Sequence, residues 1–124
     1  MKKVIVLCIV IVVSIIISDY IIKNNICSNF NYIISILERI DNENDNNIRE
    51  DKVSEIEAIV RDRYLLMAFY IDHGELEKIR SQIVTIKAGI DESDESFLHE
   101  EIKKTIFIIN HLKEKIDFKL ENIL

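Results

Sequence analysis

Residues Val4 to Ile22 read VIVLCIVIVVSIIISDYII and are preceded only by Met1, Lys2 and Lys3. At about 1.5 Å of rise per residue, a helix over this run extends roughly 28 Å, close to the hydrocarbon thickness of a bilayer. Most of its positions are Ile, Val or Leu, each worth about −0.3 to −0.6 kcal/mol toward insertion at a helix centre. Asp19 and Tyr20 stand near its far end, where a carboxylate reaches the headgroups and a tyrosine favours the interface. The run reads as a membrane anchor, residues 1–22, ahead of one helical domain, residues 23–124.

Two other readings compete with a retained anchor. A cleaved signal peptide has a basic start, a short apolar stretch and small residues at the cut. Lys2 and Lys3 supply the start and Val4–Ile17 the stretch, but Ser14 and Ser18 are four apart among bulky Ile side chains and form no small-x-small pair. A lipoprotein cut needs a small residue before the cysteine, whereas Leu7 precedes Cys8 and Ile26 precedes Cys27. The remaining alternative is a buried helix of a soluble protein. Because basic residues stay on the cytoplasmic side, Lys2 and Lys3 outweigh the Asp19/Lys23 flank. This predicts a single-pass protein of the cell membrane with a cytoplasmic N-terminus and an extracytoplasmic remainder.

The rest of the chain is acidic. The net charge is −6, and setting aside Lys2 and Lys3 leaves 14 basic against 22 acidic residues, or −8. Such an exterior repels phosphate backbones and argues against nucleic acid as a partner, and equally against a second, polybasic attachment to the membrane. Cys8 and Cys27 are again roughly 28 Å apart on a continuous helix, beyond disulfide reach. Cys27 is then an unpaired thiol or a cross-link between two copies.

Periodicity decides between helices and strands, since heavy Ile usage suits either. There is no proline, and Gly74 and Gly89 are the only glycines. Ile26, Phe30, Ile33, Ile34, Leu37 and Ile40 recur at helical spacing, so the anchor helix continues to residue 40 or restarts there after a kink. The polar run Asp41 to Asn47 is a loop. Asp41, Glu43, Asp45 and Asn47 alternate as early EF-hand ligands do, but Asn46 stands where glycine is needed and Lys52 where the bidentate glutamate belongs. Val53, Ile56, Ile59, Val60, Leu66, Met67 and Tyr70 mark a second helix ending near Ile71. Arg63 falls inside its apolar face, with its stem expected to cover that face and its guanidinium to meet a carboxylate. Tyr64 and Phe69 read as core or rim aromatics.

Asp72 followed three residues later by Glu75 forms a capping-box-like start, and Gly74 adds backbone freedom, so a break or kink is expected at 72–74. Leu76, Ile79, Ile83, Ile86 and Ile90 then alternate spacings of three and four, as in a coiled-coil seam. The acidic turn at 91–94 precedes a last helix carrying Leu98, Ile102, Thr105, Ile109, Leu112, Ile116 and Ile123, widened by Ile106, Ile108 and Leu120. Lys113, Lys115 and Lys119 lie toward its C-terminal end, where positive charge is favourable. The expected fold is all-α: an N-terminal transmembrane helix followed by a small antiparallel bundle of three or four helices, about 24–40, 48–71, 74–90 and 94–122.

The Lys2-Lys3 start with its apolar run, the segment Ile71 to Ile79 (IDHGELEKI), His111 to Lys115 (HLKEK) and Leu120 to Leu124 (LENIL) together resemble the domain of unknown function 4363 family. These are small single-anchor proteins of Gram-positive spore-forming bacteria. The resemblance implies an anchor and an external helical domain, and it transfers no functional residue. Tyr64 departs from the tryptophan expected in such proteins.

Catalytic signatures are missing. The chain contains no G-x-S-x-G, no glycine-rich phosphate loop, no C-x-x-C and no H-E-x-x-H. His73, His99 and His111 are its histidines, and His73, Glu75 and His111 form the one candidate metal or pH-responsive group, should the bundle bring those helix ends together. The expected function is therefore a non-enzymatic structural or interaction protein without a cofactor, partnered by the lipid bilayer and by another protein or a second copy of itself. The alternative is a small ligand- or cation-binding module built on His73 and His111.

Overall fold

The computed structural model describes the backbone of residues 1–123 and the side chains of residues 1–117. Four helices follow one another: α1 (Lys2–Asn42), α2 (Asn46–Ala68), α3 (His73–Asp91) and α4 (Glu95–Ile123). Each packs against its two neighbours in a ring, α1 on α2, α2 on α3, α3 on α4 and α4 back on α1. With turns this short, successive helices run antiparallel. Among the described residues there is no strand.

The apolar seams lie where helical periodicity puts them. Ile26, Phe30, Ile33, Leu37 and Ile40 from α1, Leu76, Ile79, Ile83, Ile86 and Ile90 from α3, and Leu98, Ile102, Ile109, Leu112 and Ile116 from α4 are all at most 3% exposed. Val53, Ile56, Val60 and Met67 supply the α2 stripe, and Ile36 adds a further α1 side chain to the core. Ile34, Ile59, Leu66, Ile106 and Ile108 pack half-buried around it. Thr105 occupies a seam position and accepts from Gln82 Nε2 at 3.3 Å, which satisfies two buried polar groups at once. The expected seam positions Leu120 and Ile123, and Lys119, lie outside the described side chains.

α1 settles the kink question: it is one continuous helix of 41 residues, about 60 Å long. Its N-terminal half leaves the bundle. The large apolar side chains from Val4 to Ile21 are 46–63% exposed, while from Ile26 onward every third or fourth residue is buried. The most apolar eighteen-residue window has a mean hydropathy of 2.9 and no residue buried within the chain. This helix is long and apolar enough to span a membrane. Ser14, inside the run, donates its hydroxyl to the Val10 carbonyl at 2.8 Å, so its polar group is met by its own helix.

Several local expectations need correction. The loop near 41–47 narrows to residues 43–45, because Asp45 caps α2 by accepting the Asn47 amide at 2.9 Å and the helix starts two residues early. The break at 72–74 lies at 69–72, with His73 and Gly74 already helical. Asp72 is the N-cap of α3, but its side chain makes no capping bond; its carbonyl takes the amides of Glu75 and Leu76. Glu75 does not reach back because Lys115 of α4 holds it at 2.5 Å. Arg63 is exposed: Tyr64, one position on, takes the place between Val60 and Met67 on the buried side. Phe69 is not a rim aromatic. The chain leaves α2 after Ala68, and Phe69 is turned out, 83% exposed.

The α3–α4 turn reverses at Ser93, whose φ of 55° lies in the left-handed region. It is held by amide bonds from Ser93 to Ile90 and from Asp94 to Gly89 and by Asp94, which caps α4 through the Phe97 amide at 3.1 Å. Gly89 leaves room for Phe97: a Cβ there would meet its ring at 3.2 Å. Gly74 has no such duty. It has ordinary helical backbone, and a Cβ would meet nothing within 4 Å. Gly74→Ala is therefore expected to raise stability by about 0.5–1 kcal/mol, read as a later denaturation midpoint of the detergent-solubilised chain.

Candidate functional site

The polar side chains gather at three places along the bundle. At the end remote from the apolar half of α1, Arg49 is 1% exposed. It stands four residues before Val53, where the α2 stripe extends backward, so helical spacing points it into the core. Its Nε donates to the Ile40 carbonyl at 3.1 Å, one guanidinium nitrogen to Asn46 at 3.2 Å, and two to Glu95 at 2.6 and 2.9 Å. One side chain thereby ties the C-terminal end of α1, the start of α2 and the start of α4. The bidentate pair holds Arg49 above its ordinary pKa, and the same bond holds the Glu95 carboxyl below the usual glutamate range. Beside it, His99 Nδ1 faces Asp41 at 2.7 Å. Asp41, Glu43 and Asp45 do not converge on a cation: Glu43 accepts the Asn44 and Asp45 amides and Asp45 caps α2.

At the opposite end of the packed region, Asp19, Lys23 and Tyr70 form a compact group. Lys23 is 4% exposed, its Nζ lies 2.9 Å from Asp19 and it sits over the Tyr70 ring, 5.4 Å from the centroid. The Tyr70 hydroxyl donates to Asp19 at 2.5 Å. Burial and that hydrogen bond to a carboxylate push the Tyr70 phenol up to about 12. Cys27, half-buried nearby on α1, points its Sγ toward Asp117 at 3.9 Å. Burial and the neighbouring carboxylate raise its pKa, so it is a poor thiolate.

The residues nominated from sequence each have their own surroundings. His73 Nδ1 lies 2.6 Å from the Tyr64 hydroxyl, which also reaches Glu77 at 3.1 Å. Burial and the Glu77 bond raise the Tyr64 pKa, while Tyr64 lowers that of Glu77. Glu75 is engaged by Lys115, and His111 is exposed on α4. Among the described residues no three His, Cys, Asp or Glu side chains come together as a metal site.

The third place is a groove of about 770 Å³ along the outer seam of α2 and α3. Val60 and Ile83 form its floor, Leu65 and Val84 stand open to solvent at 79% and 66%, and Tyr64 closes one side. Arg61, Arg80 and Lys87 rim it against the single carboxylate of Glu57. Arg80 lies over the Tyr64 ring at 5.5 Å, pairs with Glu77 at 3.0 Å, and is joined on the same side by Lys87, 3.6 Å from Glu57. In a chain of net charge −6, this apolar strip with a cationic border contrasts with the acidic balance of the whole. The residues forming it come from two helices and were not singled out by any local motif. The signal available was weak: Leu65 and Val84 are apolar residues lying off the seams.

Comparison with family models, with curated proteins and with solved structures gives no match.

Two outcomes follow for Arg49. Arg49→Ala removes a buried hub bonded to a carboxylate and a carbonyl and is expected to cost about 2–3 kcal/mol of stability, measured by chemical denaturation. The depressed pKa of Glu95 makes its contribution complete above the ordinary glutamate value of 4.5. That contribution is lost as pH falls through the lower, folded-state value. Thermal melts below pH 4.5 should therefore fall less steeply for Glu95→Gln than for the parent chain, with the variant less stable at neutral pH.

Proposed function

We propose that the chain is a single-pass membrane protein that displays its bundle outside the cytoplasm as a non-enzymatic interaction module, with the α2–α3 groove as its docking surface. The support for membrane residence is the solvent-open apolar half of α1, and Lys2 and Lys3 support a cytoplasmic N-terminus. The resemblance to the domain of unknown function 4363 family favours the same layout of anchor and external bundle.

The observation that carries the docking assignment is the groove's combination of exposed Leu65 and Val84 with Arg61, Arg80 and Lys87. An apolar floor whose border carries three cations to one lining carboxylate suits an amphipathic helix with acidic flanks, its apolar face laid along the groove. Electrostatic complementarity would steer that partner to this basic-rimmed strip of an acidic molecule. Rim charges act mainly on encounter and register, the apolar floor on residence.

A photo-crosslinking amino acid at Val84, introduced into the full chain in native membranes, is expected to give a discrete adduct. The adduct should be lost when Arg80→Glu and Lys87→Glu are added. An adduct that survives the double charge reversal, or an identical one from a crosslinker at Phe107 on α4, would overturn the docking assignment. Protease added to intact protoplasts should remove the bundle and leave the apolar segment in the membrane fraction; protection of the bundle would reverse the topology.

A further inference from the structure

The group formed by Asp19, Lys23 and Tyr70 fixes more than a local hydrogen bond. Asp19 lies inside the apolar run, which continues to Ile22. Tyr70 belongs to the α2–α3 turn, and its hydroxyl reaches Asp19 at 2.5 Å. The turn is therefore level with a residue one helical turn short of the end of the apolar run, rather than raised above it. Next to Tyr70, Phe69 is 83% exposed, and Leu65, one turn earlier on α2, is 79% exposed. Apart from the terminal Met1, they are the two most open large apolar side chains among those described. Tyr20, at the same level on α1, is 52% exposed.

Resting on the reading of α1 as a membrane span, we propose that the base of the bundle is itself a membrane contact, with Phe69 seated at the headgroup–acyl boundary of the leaflet through which α1 leaves. The occupant of this apolar end is lipid, because the Tyr70–Asp19 contact brings the turn that carries Phe69 to the depth of the apolar run of α1. Tyrosine favours that zone, and apolar side chains such as Phe and Leu on a peripheral element bury about 5–10 Å into it. The contact also explains why the polar members of the junction are paired among themselves. A carboxylate and an ammonium at this depth are costly unless they satisfy each other, and Lys23 pairs with Asp19 at 2.9 Å while Tyr70 supplies a further donor. Leu65, which also borders the groove, sits just above the boundary. The bundle would thus meet lipid at two points, α1 and the α2–α3 turn, which limits its rocking about the α1 axis.

The chain has no tryptophan, so single substitutions give unambiguous fluorescence. Three full-length variants are compared in phosphatidylcholine vesicles: Phe69→Trp, Phe107→Trp, 73% exposed on the flank of α4, and Ile11→Trp, 50% exposed in the apolar run. All three positions are open, so folding is kept, and circular dichroism verifies it. Vesicles carry bromine on the acyl chains either near the headgroup or near the chain midpoint. Phe69→Trp is expected to emit further to the blue than Phe107→Trp and to lose about half its emission to the shallow bromines, with weaker quenching by the deep ones. Ile11→Trp should be quenched more by the deep bromines. The Phe107→Trp chain carries the same intrinsic preference of indole for the interface, so a difference between the two reports position. If Ile11→Trp is quenched while Phe69→Trp behaves like Phe107→Trp, the base does not touch lipid and the proposal is overturned with the membrane span intact. If Ile11→Trp is not quenched, the span itself fails and the proposal with it.

Discussion

One unbroken helix, Lys2–Asn42, carries two patterns of exposure, and the rest of the molecule follows from that constraint. Its first half exposes apolar side chains all round, whereas its second half buries one stripe and leaves the other faces wet. The change occurs within about one turn, between Ile22 and Ile26. Since no break separates the two halves, the bundle cannot pivot freely on a linker. Its orientation is set by the α1 axis, and every helix packed on α1 inherits that orientation.

Packing around α1 is apolar along the middle of the bundle and polar at its two ends. The middle is held by seams of Ile and Leu, whose burial is the main favourable contribution to folding. At the far end Arg49 replaces what would otherwise be a further apolar seam residue. A buried guanidinium is unfavourable by itself and is tolerated because its donors are taken by Ile40, Asn46 and Glu95. Those acceptors belong to three different helix ends, so the pair stabilises one arrangement of the turns more than it adds net stability. Glu95 is 65% exposed and Arg49 only 2% by side chain, which keeps half of the pair solvated and limits the desolvation cost.

The helices and most of their buried faces were legible in the sequence because apolar spacing is a local property. Leu76 to Ile90 and Leu98 to Ile116 needed nothing beyond their own residues. Arg63 against Tyr64 shows the limit: both lie three or four residues from Val60 and Met67, so periodicity admits either, and only packing against α3 selects Tyr64. Arg49 sits on the extrapolated stripe but carries a charge, and two of its three acceptors, Ile40 and Glu95, lie 9 and 46 residues away, beyond any local pattern. Phe69 departs from its pattern for the opposite reason. It is apolar and close to the seam, but the chain leaves the helix just before it and the side chain loses the face it would have shared. The groove depends on the register of two antiparallel helices, which brings Arg61 beside Arg80 and Lys87 although nothing near any of them in sequence marks the meeting.

His73 and Glu75 show how residues close in sequence serve different partners in three dimensions. Its neighbour Glu75 points to α4 and Lys115, while His73 itself turns to Tyr64 on α2. Residues two apart on a helix face directions about 200° apart, so they serve different neighbours in a four-helix ring. A shared site would require another chain segment to reach around the helix to both. The same geometry favours contacts made by residues three or four apart or by residues on adjacent helices, as with Asp19 and Lys23 against Tyr70. At that junction the sequence supplies a carboxylate inside an apolar run, and the fold answers it from both its own helix and the α2–α3 turn. Separating the bundle from α1 would therefore uncover not only the apolar stripe but also the paired charges of Asp19 and Lys23, which makes α1 and the bundle a single folding unit rather than a domain on a tether.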